Sequence, residues 1–497
     1  MRADDGIYLA IDLGAGSGRV MAGVVLGGVM DLEEVRRFEN RVIEEEGALY
    51  WDFEALWENI VEGLGEAAKK YDVCRIRSIG VDTWGVDYGL IDREGRLLSR
   101  PRNHRDARTR GMLDRLFEKL PAGDLFQETG IQCLDINTLP QLCAEAAEEG
   151  GLLARAWRFL LIPDLVNHRL SGQTGCERTN ASTTQMYHPV KQEWSHRVFE
   201  AAGVPFHLAP PLVAPGDDLG PLLPEVQRRT GLSAETRVVA VGSHDTASAV
   251  AAVPAVEGKR FAYLSSGTWS LLGLELPCPI LTELAREYNV TNEAGVFGTT
   301  RLLKNINGMW LVQECRRVWQ ERGHDFDFAE LAALAIAANP LRSFIDPDEG
   351  RFTGRCDMPE VIAGFCRESG QPVPDSPGVV MRLIIDSLAM KVRFVLERLE
   401  EIAGGSVEVL HIIGGGGRNP LLNQSIANGI GRPVLVGPYE ATAAGNVMMQ
   451  CHAAGGAQNL EEGREMIQRS FATERYLPEN ESEWDDAYRR FLGLKPA

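Results

Sequence analysis

Apolar positions along this chain fall into two rhythms. Short unbroken runs such as "IYLAIDL" (7–13) read as strands buried on both faces, whereas Phe53, Leu56, Ile60 and Leu64 recur at the spacing of one helix face. The first run enters "GAGSGR" and returns as "RVMAGVVLGGV", which predicts a glycine-rich hairpin of two strands. A helix over 53–70 then leads into a strand at "IRSIGVDTW". The longest predicted helix covers 377–403, with Val380, Leu383, Ile384, Leu388, Val392, Val395 and Leu399 on its apolar positions, and Gly404 and Gly405 stop it. Strands alternating with helices in this way predict an α/β fold.

One internal echo organises the pattern. "YLAIDLGAGSGRVMAGVV" has a counterpart in "FAYLSSGTWSLLGLEL" (261–276): each is a strand, a turn of Gly with Ser or Thr, and a returning strand. Self-similarity half a chain apart predicts two related domains, 1–241 and 242–497, with a cleft between them. The length of 497 residues, with 44% hydrophobic and 24% charged residues, suits such a pair. A net charge of −19 argues against nucleic acid as a partner, because phosphate backbones are bound by clustered Lys and Arg. The N-terminal "MRADDGIYLAIDL" has no basic n-region and long apolar h-region, and no run is long enough for a membrane span, so the expected location is the cytoplasm. Nine cysteines without a C-x-x-C pair predict reduced thiols rather than a zinc site. The oligomeric state is not written in the sequence; a monomer is the expectation.

The candidate chemistry lies in the glycine-rich turns and the carboxylates beside them. Bare backbone amides in "GAGSGR" can cradle phosphate or simply make a tight turn. Its G-x-G-x-G is not the dinucleotide fingerprint, and no G-x-x-x-x-G-K-[ST] occurs, which excludes a Walker-type loop. "VLHIIGGGGRNPLLNQSIANGIG" (409–431) reads as a strand, four glycines and a helix capped by Asn419 with Pro420 in its first turn. The glycines suit either a flat group such as adenine or a close helix-to-strand crossing. In "GPYEATAAGNVMMQ" the small residues predict helix packing. Asp12 could hold Mg²⁺ through water or close an Asx-turn. Asp82 and Asp87 bracket Trp84, an aromatic suited to a sugar face or to a core. "NHRDARTR" (103–110) reads as a solvated helix start with His104, Arg105, Asp106 and Arg108 exposed, and its position before a helix also suits ligand binding. In "VAVGSHDTASAV" a strand runs into a helix, and Asp245 is placed to be a helix cap, a base, or both.

Taken together, "IDLGAGSGR", "GVDTWGVDYGLID", "RDART", "TNASTTQMY", "GSHDTASAV", "YLSSGTWSLLG", "LLKNINGMWLVQE", "GGGGRNPLLNQ" and "EATAAGN" resemble the FGGY carbohydrate kinases, in one order from about residue 7 to 446. The resemblance implies two duplicated actin-like, RNase H-like domains, an N-terminal one that binds the sugar and a C-terminal one that binds the nucleotide, with the active site in the cleft. It implies ATP as co-substrate with Mg²⁺, and phosphoryl transfer to the 1-hydroxyl of a ketose. L-Rhamnulose is the expected sugar, with L-fuculose and L-xylulose as alternatives. Asp245 matches the family's proton acceptor. Ala15, Gly16, Ser17, Gly18, Arg19 and Thr268 match phosphate contacts, and Gln313 with Gly415 or Gly416 matches nucleotide contacts. Gly85, His244, Thr246 and Asn305 match sugar contacts, beside Trp84. Two positions depart from the usual pattern: His104 stands where "YRD" is common, and Gly16 where "GASSGR" is common. Cys356 and Cys366 fall where some relatives carry a paired-cysteine loop. A different class, an actin-fold ATP switch for a protein partner, would have no need of Asp245 and the sugar-side residues.

Overall fold

The computed structural model describes residues 4–495 except Glu149, Glu257 and Thr268. It divides into two compact units, Met1–Pro254 with Glu275–Leu302 and Ala441–Phe471, and Ala255–Leu274 with Leu303–Glu440 and Ala472–Ala497.

The first unit is built on a six-stranded sheet of β1 (Gly6–Leu13), β2 (Ser17–Leu26), β3 (Val29–Glu39), β4 (Ile76–Thr83), β5 (Asp218–Pro221) and β6 (Arg237–Val239), in the order β5-β6-β4-β1-β2-β3. β1 pairs antiparallel with β2 and parallel with β4, and β4 pairs parallel with β6. Every residue of β1 is buried, which is why its sequence is apolar on both faces. The edge strand β3 instead exposes charged residues, a common guard against stray strand pairing. The second hairpin strand ends sooner than the sequence predicts. Gly27 and Gly28, at φ 63° and 78°, turn the chain into β3, whose charged, half-exposed pattern hid it. The helix Phe53–Lys70 forms as expected, with the Asp52 carboxylate accepting from Ala55 N–H at 3.2 Å and Phe53, Leu56, Trp57, Ile60 and Leu64 buried.

The second unit repeats this plan with β7 (Phe261–Ser266), β8 (Trp269–Leu276), β9 (Thr300–Asn307), β10 (Val409–Ile413), β11 (Val434–Val436) and β12 (Glu474–Tyr476). Their order is β9-β8-β7-β10-β11-β12, with the strand Thr291–Ala294 as a seventh at the edge beside β9; the stretch β9-β8-β7-β10 repeats β3-β2-β1-β4. The central hairpin β7–β8 is antiparallel, and β7–β10 and β10–β11 are parallel. The echo in the sequence is therefore a duplicated sheet. The long helix spans Pro377–Ala403 and ends at Gly404, φ 67°.

The compact units divide the chain differently from a cut before Gly242. The helix Asp245–Ala251 stays in the first unit, because the helix Ala441–Ala453 packs on it: a Cβ added at Gly445 would lie 1.8 Å from the Ser248 carbonyl oxygen. Arg464 joins the same unit, paired with Glu275 at 2.8 Å and donating to the Val250 carbonyl at 3.1 Å. All nine cysteines are free, Cys356 and Cys366 included. Among the described residues no helix is long and apolar enough to cross a membrane.

Candidate active site

Three neighbouring parallel strands of the first unit, β1, β4 and β6, deliver acidic residues to the same end of the sheet. This is the carboxyl end, where open α/β sheets bind ligands. Asp12 and Asp82 are direct partners across β1 and β4. One residue further, Thr83 forms an isolated parallel bridge with His244, and its N–H donates to the Ser243 carbonyl at 2.9 Å. That bridge sets His244 and Asp245 beside the two strand-end carboxylates. Burial pushes the Asp82 carboxyl well above the usual carboxylate range; the charges of Asp12 and Asp245 add to this, against a hydrogen bond from Asn446 Nδ2 at 2.6 Å. Arg19, across the hairpin, pairs with Asp12 and offsets part of the charge.

The segment before Asp245 is held from beneath. Glu177, wholly buried, accepts from Ser243 N–H at 2.9 Å, from Ser243 Oγ at 2.8 Å and from Thr179 N–H at 2.8 Å. Thr179 Oγ1 in turn accepts from His244 N–H at 3.2 Å, and Asn180 Nδ2 donates to the Ser243 carbonyl at 3.2 Å. Asp245 is not the helix cap. His244 occupies that position without a side-chain bond, and Asp245 is the first helical residue, its Oδ1 accepting from Thr246 N–H at 2.5 Å and Thr246 Oγ1 at 3.1 Å. His244 Nε2 lies 3.4 Å from the same oxygen.

Asp87 has a different task. Its Oδ2 takes Trp51 Nε1 at 2.7 Å, Trp84 Nε1 at 2.8 Å and His104 Nδ1 at 2.8 Å, and Oδ1 takes Gln141 Nε2 at 3.3 Å. The two indoles lie 4.3 Å apart between centroids. Trp84 is thus a buried, anchored ring and Asp87 is saturated with donors. Gly85 is required by a close approach, since a Cβ there would lie 2.9 Å from Thr183 Oγ1. The segment 103–110 is only partly solvated: Arg105 and Arg110 are exposed, and Asp106 caps the 3₁₀ turn Ala107–Thr109. Asp106 is buried and accepts from Leu49 N–H at 2.8 Å and Arg108 N–H at 3.1 Å, while His104 turns inward to Asp87. Asp87→Asn keeps the shape but leaves donor facing donor, so urea unfolding is expected to show a loss of about 2–3 kcal/mol. A loss below about 0.5 kcal/mol would remove Asp87 from this role.

The loop Ala15–Arg19 opens β2, with Ala15 and Gly16 exposed and Gly14 N–H donating to the Ser17 carbonyl at 2.9 Å. Gly18 is a packing glycine, as a Cβ would lie 2.3 Å from the Phe38 ring. In the second unit, Thr268 lies outside the described residues. Gly415 and Gly416 form a short 3₁₀ turn before the helix Pro420–Ile430, which Asn419 caps by accepting from Leu422 N–H at 3.1 Å. The two glycines differ. A Cβ on Gly416 would lie 2.2 Å from Ser266 Oγ, whereas one on Gly415 meets nothing within 4 Å. Gly416 is thus a close crossing, and Gly415 leaves open backbone. Gln313 is exposed on the helix Trp310–Glu321, and half-buried Asn305 sits on β9. The structure therefore gathers Asp12, Arg19, Asp82, His244, Asp245 and Thr246 in the first unit, and Asn305, Gln313, Gly415 and Gly416 belong to the second. Glu177, Glu293, Arg301 and Asn446 escaped the sequence reading, since single carboxylates, arginines and amides carry no spacing signal.

A duplicated βββαβ-type sheet, with acidic strand ends in the first unit, is the frame of an actin-like fold. Models of the FGGY family of carbohydrate kinases match the chain, the N-terminal domain over residues 7–252 and the C-terminal domain over 262–454. The chain is 43% identical over 484 residues to a rhamnulokinase of Bacteroides thetaiotaomicron, covering 97% of this chain and 98% of that one. It is 39% identical to a rhamnulokinase of Bacillus subtilis, covering 95% and 96%. The crystal structure of a ligand-bound xylulose kinase from Lactobacillus acidophilus superposes with a TM-score of 0.82 at 14% identity, over 98% and 97% of the chains, which bears on the fold alone. This chain belongs to the FGGY family of carbohydrate kinases. It is an ATP-dependent sugar kinase.

Proposed function

We propose that the protein transfers the γ-phosphoryl group of ATP to the 1-hydroxyl of L-rhamnulose, in L-rhamnose catabolism in the cytoplasm, with Asp245 as the proton acceptor. The observation that carries the role of Asp245 is exposure. Its side chain is 31% exposed, whereas those of Asp12 and Asp87 are 8% and 0% exposed and Asp82 is wholly buried. A base must reach its substrate's hydroxyl. The choice of L-rhamnulose rests on the 38–43% identity to rhamnulokinases over nearly the full length.

Asp245 orients the 1-hydroxyl and takes its proton as the oxygen–phosphorus bond forms and the bond to ADP breaks. Its carboxylate is steadied by Thr246 and faces His244 Nε2. In such loose transition states positioning and charge stabilisation count for most. Gly85, His244, Thr246, Asn305 and the anchored Trp84 are assigned to the sugar. Ala15, Gly16, Ser17, Gly18 and Arg19 are assigned to phosphate, and Thr268, Gln313 and Gly415, with Gly416 shaping the turn, to the nucleotide.

Asp12 and Asp82 suit Mg²⁺. Among the described residues Asp82 Oδ1 is a buried oxygen without a hydrogen bond, beside a second carboxylate in register. An ion there would be held by one or two carboxylates, waters and substrate phosphates. Bound there, Mg²⁺ would offset charge on the phosphates. Asp12→Asn is expected to raise the Mg²⁺ concentration for half-maximal rate, read by titration at saturating ATP and sugar. An unchanged midpoint would remove Asp12 from that task.

A coupled ADP-release assay over a ketose panel tests the substrate. L-Rhamnulose is expected to give the highest kcat/KM. Should L-fuculose or L-xylulose exceed it tenfold, about 1.4 kcal/mol in transition-state binding, the assignment falls.

A further inference from the structure

Behind His244 lies a buried charge pair. Arg301, on β9 and wholly buried, donates from Nε to the Ala294 carbonyl at 3.1 Å, and its Nη2 stands 3.1 Å from His244 Nδ1 and 3.0 Å from Glu293 Oε2. Glu293 Oε2 also lies 3.1 Å from His244 Nδ1, yet among the described residues this oxygen has no donor in hydrogen-bond geometry. Burial alone would push the Glu293 carboxyl up, but the Arg301 guanidinium beside it holds it below the usual carboxylate range, so it serves as the counter-charge. A guanidinium has donors only, so its bond to Nδ1 requires that nitrogen to be bare. The imidazole hydrogen then sits on Nε2, which faces Asp245 Oδ1 at 3.4 Å.

We propose that Arg301 is a positioning residue for the sugar step: by donating to Nδ1 it fixes His244 as the Nε2–H tautomer and directs that hydrogen at Asp245 and the ketose, with Glu293 balancing its charge. This deepens the proposed function and rests on its assignment of His244 to the sugar. Arg301 touches neither reactant. It acts by making His244 a donor, matched to a carboxylate and to sugar oxygens, and by denying Nε2 the role of acceptor. Lys in its place would keep the charge but lose the fork that serves Ala294, Glu293 and Nδ1 at once.

Two measurements on the full chain test this. Long-range ¹H–¹⁵N correlation on ¹⁵N-histidine-labelled wild type, with the ring assigned by its loss in His244→Asn, is expected to show Nε2 protonated and Nδ1 bare. An Nδ1–H tautomer or a doubly protonated ring overturns the proposal, whatever any variant does. In steady-state kinetics Arg301→Lys is expected to raise the sugar KM on the order of tenfold, the scale of losing a charge-assisted bond, with the ATP KM changed less than about twofold. Equal rises in both constants, or no rise in either, also overturn it. A variant that fails to fold leaves the wild-type spectrum to decide. If no ketose is phosphorylated, the proposed function fails on its own, and the spectrum still reads the tautomer.

Discussion

Asp245→Asn is expected to lower kcat about 10²- to 10⁴-fold at saturating sugar and ATP, the usual worth of a positioned general base. The substitution spares the local structure. Asp245 is the first residue of its helix and not its cap, so what the fold asks of it is one acceptor oxygen for Thr246 N–H, which Asn supplies. The segment that carries it is fixed independently by Glu177 through Ser243. The ATP KM should change little, since the residues assigned to the nucleotide are untouched. Steady-state assays with a thermal-melt control read both. Retention of more than about a tenth of wild-type kcat would exceed what loss of a base allows. The base would then have to be sought elsewhere.

Legibility in the sequence follows the range of the interactions. The hairpin 7–26, the helices 53–70 and 377–403 and the cap at Asn419 were readable because periodicity, glycine stops and capping are local signals. β3 was not, because an exposed edge strand has little apolar alternation to show. The site divides in the same way. Asp12, Asp82, His244 and Asp245 stand at strand ends that the pattern marks, whereas the groups that hold them come from afar. Glu177 reaches Ser243 across 66 residues, Arg301 reaches His244 across 57, and Asn446 reaches Asp82 across 364. Nothing in a single sequence links such partners. In "NHRDARTR" Arg105 and Arg110 are solvated, whereas Asp106 and His104 turn to Leu49 N–H and Asp87, partners that no local pattern marks.

Gly445→Ala is expected to cost about 3 kcal/mol or more in urea unfolding, at the upper end for overpacking. The new methyl would lie 1.8 Å from the Ser248 carbonyl oxygen and 2.6 Å from its carbon, both backbone atoms that cannot rotate away. Two helices must therefore part. One is Asp245–Ala251, which starts at the proposed base; the other, Ala441–Ala453, carries Asn446 to Asp82 and Gln450 to the Leu9 carbonyl at 3.1 Å. Displacing them should lower kcat as well as stability, because reacting groups lose rate with small misplacement. Gly415→Ala is the control. Its Cβ would meet nothing within 4 Å, so stability should change by less than about 0.5 kcal/mol, while the ATP KM rises if the nucleotide lies on that open backbone. If Gly445→Ala is as stable and as active as wild type, the helix contact at Ser248 is not what sets Asp245 in place.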